Sequence, residues 1–429
     1  MGGVAGHLSH LHESMDLTFG EIKSILQDVA TANIDVVEKV DGQNIFFGWD
    51  AKTGQVRTAR NAGDIAKGGM TPKEYADKWK GHPAESAFMN GFAAIEQAVK
   101  SMSKKDLITI FGRNNDRYVN AEIMYASNPN MIHYDGNYIV VHNLQSFEGG
   151  EQGVVDTGEF ESLVSAIEGF DAQTSQDLWK IYGPQLVALQ DISEGKHYDN
   201  LVAGLDSASG GMSDSATIGD FVAEKLRIGP VGDLKMPEER KEQLIKRIIG
   251  LVRGDDPKQL PDLRALKQGL DKSTADKVSS MASSTAALGT VSALVAPIER
   301  VISDFAIEVL RGMQSFFVSD HDSEVQRMRA ELEDAVNKIR SSKSSDAQKM
   351  GDLLVRQLEK LGHVENVAQS IEGIVFEYPP GSKQLYKLTG SFAMVNQIVG
   401  RARRMAESDA GISESKHARR YLTLPFLLG

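Results

Sequence analysis

Residues 34–49 read IDVVEKVDGQNIFFGW, and this stretch decides the fold class. β-Branched and aromatic residues crowd both sides of Asp41-Gly42, so the spacing predicts two strands joined by a turn at that dipeptide. Toward the N-terminus, LTFGEIKSILQDVA (17–30) puts Leu17, Ile22, Ile25, Leu26 and Val29 on one face of an amphipathic helix. In the other direction, Leu107 to Phe111, Tyr118 to Tyr125 and Asn137 to Leu144 predict further strands, separated by turn-forming Asn, Asp and Gly. The first third is therefore mixed, and the fold class is α+β.

From residue 158 to 367 the period becomes helical, in segments such as EFESLVSAIEGF, KEQLIKRIIGLVR, VISDFAIEVLRGMQSFF and SEVQRMRAELEDAVNKIR. Convincing strands are few there, which predicts a large, mainly α-helical insertion with a loop at LDSASGGMSDSAT (205–217). Strand character returns at Gly373 to Tyr378, breaks at Pro379-Pro380-Gly381 and resumes from Leu385 to Leu388. The expected division is 1–157 and 368–395 as two parts of one core, 158–367 as the insertion, and 396–429 as a helical tail. Val278 to Ile298 is 21 residues without a charge, but seven are Ser or Thr and Pro297 lies near its end. A small-residue helix packed inside a helical domain is expected there, with no membrane partner.

The chain has 429 residues, 41% apolar and 25% charged, and a formal charge of −12, so it is no simple polycation and any nucleic-acid surface must be local. Residues 396–429 hold six Lys or Arg against three Asp or Glu, a local +3. Arg401, Arg403, Arg404, Arg419 and Arg420 are either phosphate contacts or a solvated helix face. With no cysteine there is no disulfide, thiolate nucleophile or Cys-ligated zinc, as suits a reducing cytoplasm. The N-terminus shows no basic-then-apolar leader, and Gly6 stands where myristoylation wants Ser or Thr. His7, His10 and His12 cluster before the first helix without a partnering Cys, and a mobile or packed N-terminal segment explains them without a metal.

The sharpest local feature is Glu38-Lys39-Val40-Asp41-Gly42-Gln43-Asn44. A hairpin with a solvated lysine is its plain reading. The run also resembles motif I of the covalent nucleotidyltransferases, the superfamily of ATP-dependent DNA ligases, RNA ligases and messenger-RNA capping enzymes. Ile371-Glu372-Gly373-Ile374-Val375-Phe376 resembles motif IV of that superfamily, and Asn120-Ala121-Glu122-Ile123-Met124-Tyr125 resembles motif III. The three occur in the family's order, each on a predicted strand or strand edge. Two others are less regular: Tyr138-Ile139-Val140-Val141-His142-Asn143 stands in the place of motif IIIa, and Lys383-Gln384-Leu385-Tyr386-Lys387 in that of motif V.

The resemblance implies a ligase-type adenylyltransferase core of antiparallel sheets flanked by helices. It implies ATP as cofactor, with Mg2+ or Mn2+. Lys39 would be the nucleophile that forms lysyl-AMP, and a lysine attacks only when unprotonated, so burial and neighbouring cations should depress its pKa from about 10.4. Gly42 would let backbone approach a ligand. By the same resemblance, Glu38 reads the adenine edge, Asp41 and Asn44 belong to the nucleotide site, and Glu122 holds the ribose. Glu372 acts at the metal or the reacting phosphate. Arg60 contacts the nucleotide, with Arg57 the competing candidate; His142 either stacks on adenine or is simply packed; Lys387 is the better phosphate ligand and Lys383 the second. Only 42 residues follow Lys387, too few for a C-terminal OB-fold, which favours the phage-type RNA ligase 2-like branch. Its partners would be RNA ends or nicked duplex, DNA being the other option, its role RNA repair, and its place the host cytoplasm. A bacteriophage nucleotide-binding or structural protein on a degenerate ligase core is the alternative.

Overall fold

A computed structural model describes residues 8–130, 132–148, 151–154, 157–174, 177–311, 313–317, 371–382 and 384–390. The chain opens with β1 (Ser9–His10), a 3-10 turn at Leu11–Glu13 and α1 (Phe19–Ala30), then β2 (Val36–Lys39), β3 (Gln43–Asp50) and β4 (Gln55–Ala59). Helices α2 (Ala62–Ile65), α3 (Pro72–Trp79), α4 (Glu85–Ser101) and α5 (Lys104–Phe111) precede β5 (Arg117–Met124), β6 (Asn137–Glu148) and β7 (Glu151–Val154). Next come α6 (Thr157–Ile167), β8 (Phe170–Gln173), β9 (Leu178–Tyr182) and β10 (Leu186–Val187). A helical run follows: α7 (His197–Ser209), α8 (Ile218–Ile228), α9 (Glu238–Arg253), α10 (Leu263–Lys267), α11 (Lys272–Met281) and α12 (Ser284–Arg311). The described strands end with β11 (Gly373–Glu377) and β12 (Leu385–Thr389).

The fold is α+β, with two sheets flanked by helices. The first sheet has the order β1-β12-β11-β2-β10, and the second β4-β3-β5-β6-β9-β8 with β7 also on β6. Both are mixed rather than purely antiparallel, because β1 runs parallel to β12 and β9 parallel to β6.

The expected hairpin at Asp41-Gly42 does not form. β2 pairs with β11 and β10 in the first sheet, whereas β3 pairs with β4 and β5 in the second, so Val40-Asp41-Gly42 carries the chain between sheets. A hairpin turn is favoured when its Asp serves the local backbone. Here the Asp41 carboxylate accepts instead from Asn130 Nδ2 at 2.6 Å and the Ile132 N–H at 2.7 Å, while the Asp41 N–H donates to Tyr134 Oη at 3.0 Å. A second passage between the sheets follows β9, where the Glu38 N–H donates to the Gln185 carbonyl at 2.9 Å.

Helix α1 matches its sequence pattern, with Ile22, Ile25, Leu26 and Val29 buried and a reciprocal Thr18–Glu21 capping box at its start. Leu107 to Phe111 is helical, not a strand: Ser103 accepts the Asp106 N–H at 3.1 Å, and Leu107, Ile110 and Phe111 share a buried face at helical spacing. EFESLVSAIEGF forms α6 as its period predicts, but β8, β9 and β10 then join the sheets, so the unbroken helical run starts at His197. Their alternation was too short to stand out, although Trp179 and Ile181 are fully buried. The 205–217 loop is shorter than expected, since α7 continues to Ser209 and stops where Gly210 takes φ +70°.

Val278 to Ile298 is split between α11 and α12, which meet at a 76° bend. Ala287, Val291, Val295 and Ile298 of α12 are buried against the other helices, and among the described residues no single helix is long and apolar enough to cross a membrane. α1, α7, α8, α9 and α12 share one core with Ile374, Phe376, Tyr386 and Leu388 of the first sheet. The other sheet packs Ile45, Val119, Ile123 and Val141 against α3, α4, α5 and α6. The segment SEVQRMRAELEDAVNKIR, Lys383 and the expected tail at 396–429 lie outside the described residues.

Gly373 is fixed by contact rather than by backbone angle. A Cβ there would lie 2.4 Å from the Leu388 carbonyl oxygen and 3.0 Å from Thr389, so it would wedge β11 away from β12. Gly373→Ala is expected to cost about 1–3 kcal/mol, as overpacking does, read as a lower urea midpoint with an unchanged m-value. A midpoint equal to that of the parent protein would show that the two strands are free to separate.

Candidate functional site

Lys39 ends β2, and Gly373 stands opposite it in the ladder, which brings Glu372 to the same end of the neighbouring strand. The Lys39 ammonium donates to Glu372 Oε2 at 2.5 Å, across 333 positions of sequence. From the other sheet, Glu122 lies opposite Asn44, and its Oε2 accepts the Gly42 N–H at 3.1 Å. Gly42 is required there, because a Cβ would come within 2.8 Å of the Ile123 carbonyl oxygen. The close approach is to β5.

Burial alone favours loss of the Lys39 proton, but Glu372, Glu122 and Asp41 outweigh it, and the ammonium is held above its ordinary value. This reverses the expected arrangement of neighbouring cations. The carboxylates respond to the same crowding. Burial pushes Glu122 up to about 8, with Glu372 and Asp41 adding to the rise and Lys39 opposing it. Burial likewise raises Glu372 to about 7, again against the pull of Lys39. The nearby cations offset this cost of burial only in part, so both carboxyls lie above the ordinary carboxylate range.

Arg60, and not Arg57, reaches this centre. Its guanidinium donates to the Asn44 carbonyl, lies 5.5 Å above the Phe88 ring and feels the charge of Glu122. Arg57 points elsewhere, into an ion pair with Asp50 at 3.1 Å. Asn44 Nδ2 donates to Asn120 Oδ1 at 2.5 Å, which fixes its amide beside Glu122. Lys387 shares with Lys39 the sheet face opposite the helical core. Burial lowers its pKa, Lys39 adds to that, and Glu13 and Glu372 oppose it.

His142 occupies a β-bulge, since Ala121 pairs with Val141 and Asn120 with Asn143, leaving the histidine without a ladder partner. A bulge re-aims its side chain. Burial and the charge of Lys39 hold the imidazole down to about 4, so it is neutral and adjoins the nucleophile candidate. Two of the N-terminal histidines are drawn into the fold as well: His10 pairs with Lys387, and its ring stacks on that of buried His12 at 5.1 Å, while His7 lies outside the described residues. Among the described residues no group of three or more His, Cys, Asp or Glu could hold a metal ion by itself.

Two of the expected site residues are engaged by the chain itself. The Asp41 carboxylate accepts from Asn130 Nδ2 and the Ile132 N–H, and so builds the passage between the sheets. Glu38 faces away from Lys39, as adjacent strand residues do. Its oxygens accept from Ser315 Oγ at 2.5 Å and from the Phe316 N–H at 2.7 Å. Sequence reasoning also missed Tyr134 and Asn130, which sit in irregular backbone where no periodicity marks them, and it read Ser315–Phe317 as helix, whereas α12 is described to Arg311 and 313–317 is irregular. No protein-family model, curated protein or solved structure matches this chain.

The raised Glu122 pKa has a stability consequence. A carboxyl whose folded pKa exceeds its unfolded value contributes its stability below the unfolded pKa, and that contribution is lost as pH rises through the folded one. For Glu122 the loss runs from the ordinary carboxylate range up to about pH 8. Glu122→Gln keeps an acceptor for Gly42 and carries no charge. Its melting temperature is expected to gain on the parent's by several degrees between pH 5 and pH 8, in paired thermal melts. A difference that stays flat with pH would mean that Glu122 is ionised throughout.

Proposed function

We propose that the protein is an ATP-dependent polynucleotide ligase on a ligase-type adenylyltransferase core, acting on RNA ends, with Lys39 as the nucleophile. The observation that carries this reading is the meeting of Lys39 and Glu372 at 2.5 Å, with Glu122 acting on the same ammonium. These are the residues of three separate motif-like runs, and nothing in solvated hairpin chemistry requires them to converge.

The Lys39 ammonium must first lose its proton, and Glu372 is in hydrogen-bond contact with a pKa near neutrality. The freed amine attacks the α-phosphorus of ATP; an N–P bond forms, the P–O bond to the β-phosphate breaks, and pyrophosphate carries away the electron pair. Lys387 provides positive charge beside the reacting phosphate. Asn44, Arg60 and Glu122 form a polar set suited to a ribose. In the second step a 5′-phosphate oxygen displaces Lys39 from phosphorus, and the amine recovers its proton. In the third a strand's 3′-hydroxyl attacks the activated phosphate and expels AMP, which completes the phosphodiester.

The donor chemistry fits a hard divalent cation: Glu372 and Glu122 offer carboxylate oxygens, and such ions commonly bind through one or two carboxylates together with substrate phosphates. Held by these two residues, Mg2+ or Mn2+ would supply neutralisation of phosphate charge.

Incubation with α-labelled ATP and Mg2+ or Mn2+ is expected to leave covalent, acid-labile AMP on the protein. Lys39→Ala and Lys39→Arg are expected to take none, and Glu372→Gln to be labelled about 10²-fold more slowly, the scale of a lost proton acceptor. Label on Lys39→Ala would exclude Lys39. ATP bound tightly without any covalent product would favour a nucleotide-binding role for a degenerate core.

A further inference from the structure

The sheet face that holds Lys39 does not stop at Lys387. Val37, Val375, Lys387 and His10 stand opposite one another across β2, β11, β12 and β1, so His10 lies beside Lys387 on that face. At about 4.8 Å per strand, β1 is about 14 Å from β2, and its edge is a separate place from the Lys39 ammonium. Beyond β1 the chain turns and brings His12 to the same edge, where its ring stacks on that of His10.

Two polar groups at this edge lack a partner. His12 is 6% exposed, and its Nδ1 makes no hydrogen bond, while its Nε2 lies 3.9 Å from Glu299 Oε1 on α12. The half-buried Lys387 ammonium pairs with no carboxylate among the described residues. Its acidic neighbours are committed elsewhere: Glu13 accepts the His10 N–H at 2.8 Å, and Glu372 takes Lys39 at 2.5 Å. Buried polar groups are ordinarily paired, and one left without a partner bears its full desolvation cost. An oxyanion accepting from both would remove both costs. A terminal phosphoryl group has three acceptor oxygens, enough for the ammonium and two imidazoles, where a carboxylate has two.

We infer that Lys387, His12 and His10 form an oxyanion site at the β1 edge for a terminal phosphoryl group, with Glu299 supporting His12 from behind. Free pyrophosphate and the 5′-phosphate end of a strand both carry this chemistry. The site shares Lys387 with the proposed ligase reaction but does not require that Lys39 become adenylylated.

The charged groups about the imidazole are Lys387 from β12, Glu299 from α12, and His10 and Glu13 from its own segment. Burial and then Lys387 hold His12 down to about 4, so its ring is neutral. An oxyanion at Nδ1 favours the imidazolium, which turns Nδ1–H to the phosphate and Nε2–H to Glu299. Burial and then Glu13 push Glu299 upward, and a charged His12 would bring it down again. Binding is therefore coupled to proton uptake.

The test is titration calorimetry of the full-length protein at pH 7.5 in two buffers of different ionisation enthalpy, with pyrophosphate and with a short RNA bearing a 5′-phosphate or a 5′-hydroxyl. The parent is expected to bind pyrophosphate, or the phosphorylated RNA in preference to its hydroxyl form, with net uptake of a proton. His12→Asn keeps a donor near the Nδ1 position but cannot take that proton. It is expected to bind at least tenfold more weakly and without uptake, as fits a lost hydrogen bond to a charged group. Glu299→Gln, at a partly exposed side chain, is expected to weaken binding severalfold and serves if His12→Asn does not fold. A loss confined to pyrophosphate assigns the site to the free anion, and one confined to phosphorylated RNA assigns it to the strand end. Unchanged affinity and uptake in a folded variant, or a parent that binds neither phosphate, overturns the inference. Label on Lys39 alongside unchanged binding by His12→Asn would remove this site and leave the ligase reading standing; His12-dependent binding without label would do the reverse.

Discussion

Three acidic side chains, Glu372, Glu122 and Asp41, crowd one buried ammonium, and the rest of the candidate site is arranged around that cluster. Removing such groups from water is costly unless each finds a partner. Asp41 finds three neutral donors or acceptors in the Asn130–Tyr134 loop through its carboxylate and N–H. Glu122 takes the Gly42 N–H, and Glu372 takes Lys39 itself. The two carboxyls nearest the ammonium are the ones whose pKa values rise toward neutrality, whereas the neighbouring imidazole and the second lysine are driven the other way. Groups that titrate in opposite senses within one cluster are what proton transfer at neutral pH requires.

This clustering depends on the chain's passage between two sheets. Had Asp41-Gly42 closed a hairpin, β2 and β3 would lie side by side, and Glu122 on β5 would be a strand further from Lys39. The passage instead sets the end of β2 against the C-terminal end of β5, with Gly42 tight against the Ile123 carbonyl. Gly373 has the same importance on the opposite flank, letting β11 pack closely on β12 while Glu372 emerges beside Lys39. Both glycines are needed for proximity and not for an unusual backbone angle.

Much of this was legible in the sequence, but unevenly. α1 and β5, β6, β11 and β12 could be read because their apolar residues repeat with an undisturbed period, and Lys39, Glu122 and Glu372 because each sits in a short run with a distinctive neighbour order. The hairpin reading failed because the same Asp-Gly pair serves a local turn or a long-range hydrogen-bond hub equally well, and the partners that decide, Asn130 and Tyr134, are about ninety positions away. Leu107 to Phe111 was misread because five apolar-rich residues carry too little periodicity to separate helix from strand. β8 to β10 were hidden by their length. For Arg57 against Arg60 the sequence held no answer, since what separates them is Asp50, which claims one and leaves the other to Asn44.

The helical run is not a body apart from the site. α12 shares its apolar core with Ile374 and Phe376 of β11, the strand that carries Glu372 at its start. Each of these side chains alternates with a residue on the face that holds Lys39 and Lys387. A shift of α12 along the sheet would therefore move the backing of the face that holds Lys39 and the Ser315–Phe316 donors together. Packing on one side of β2 and β11 and charge on the other are linked through the same few residues of strand. That linkage gives the helical run, from His197 to Arg311, a physical connection to the charged pair on the other face of the sheet.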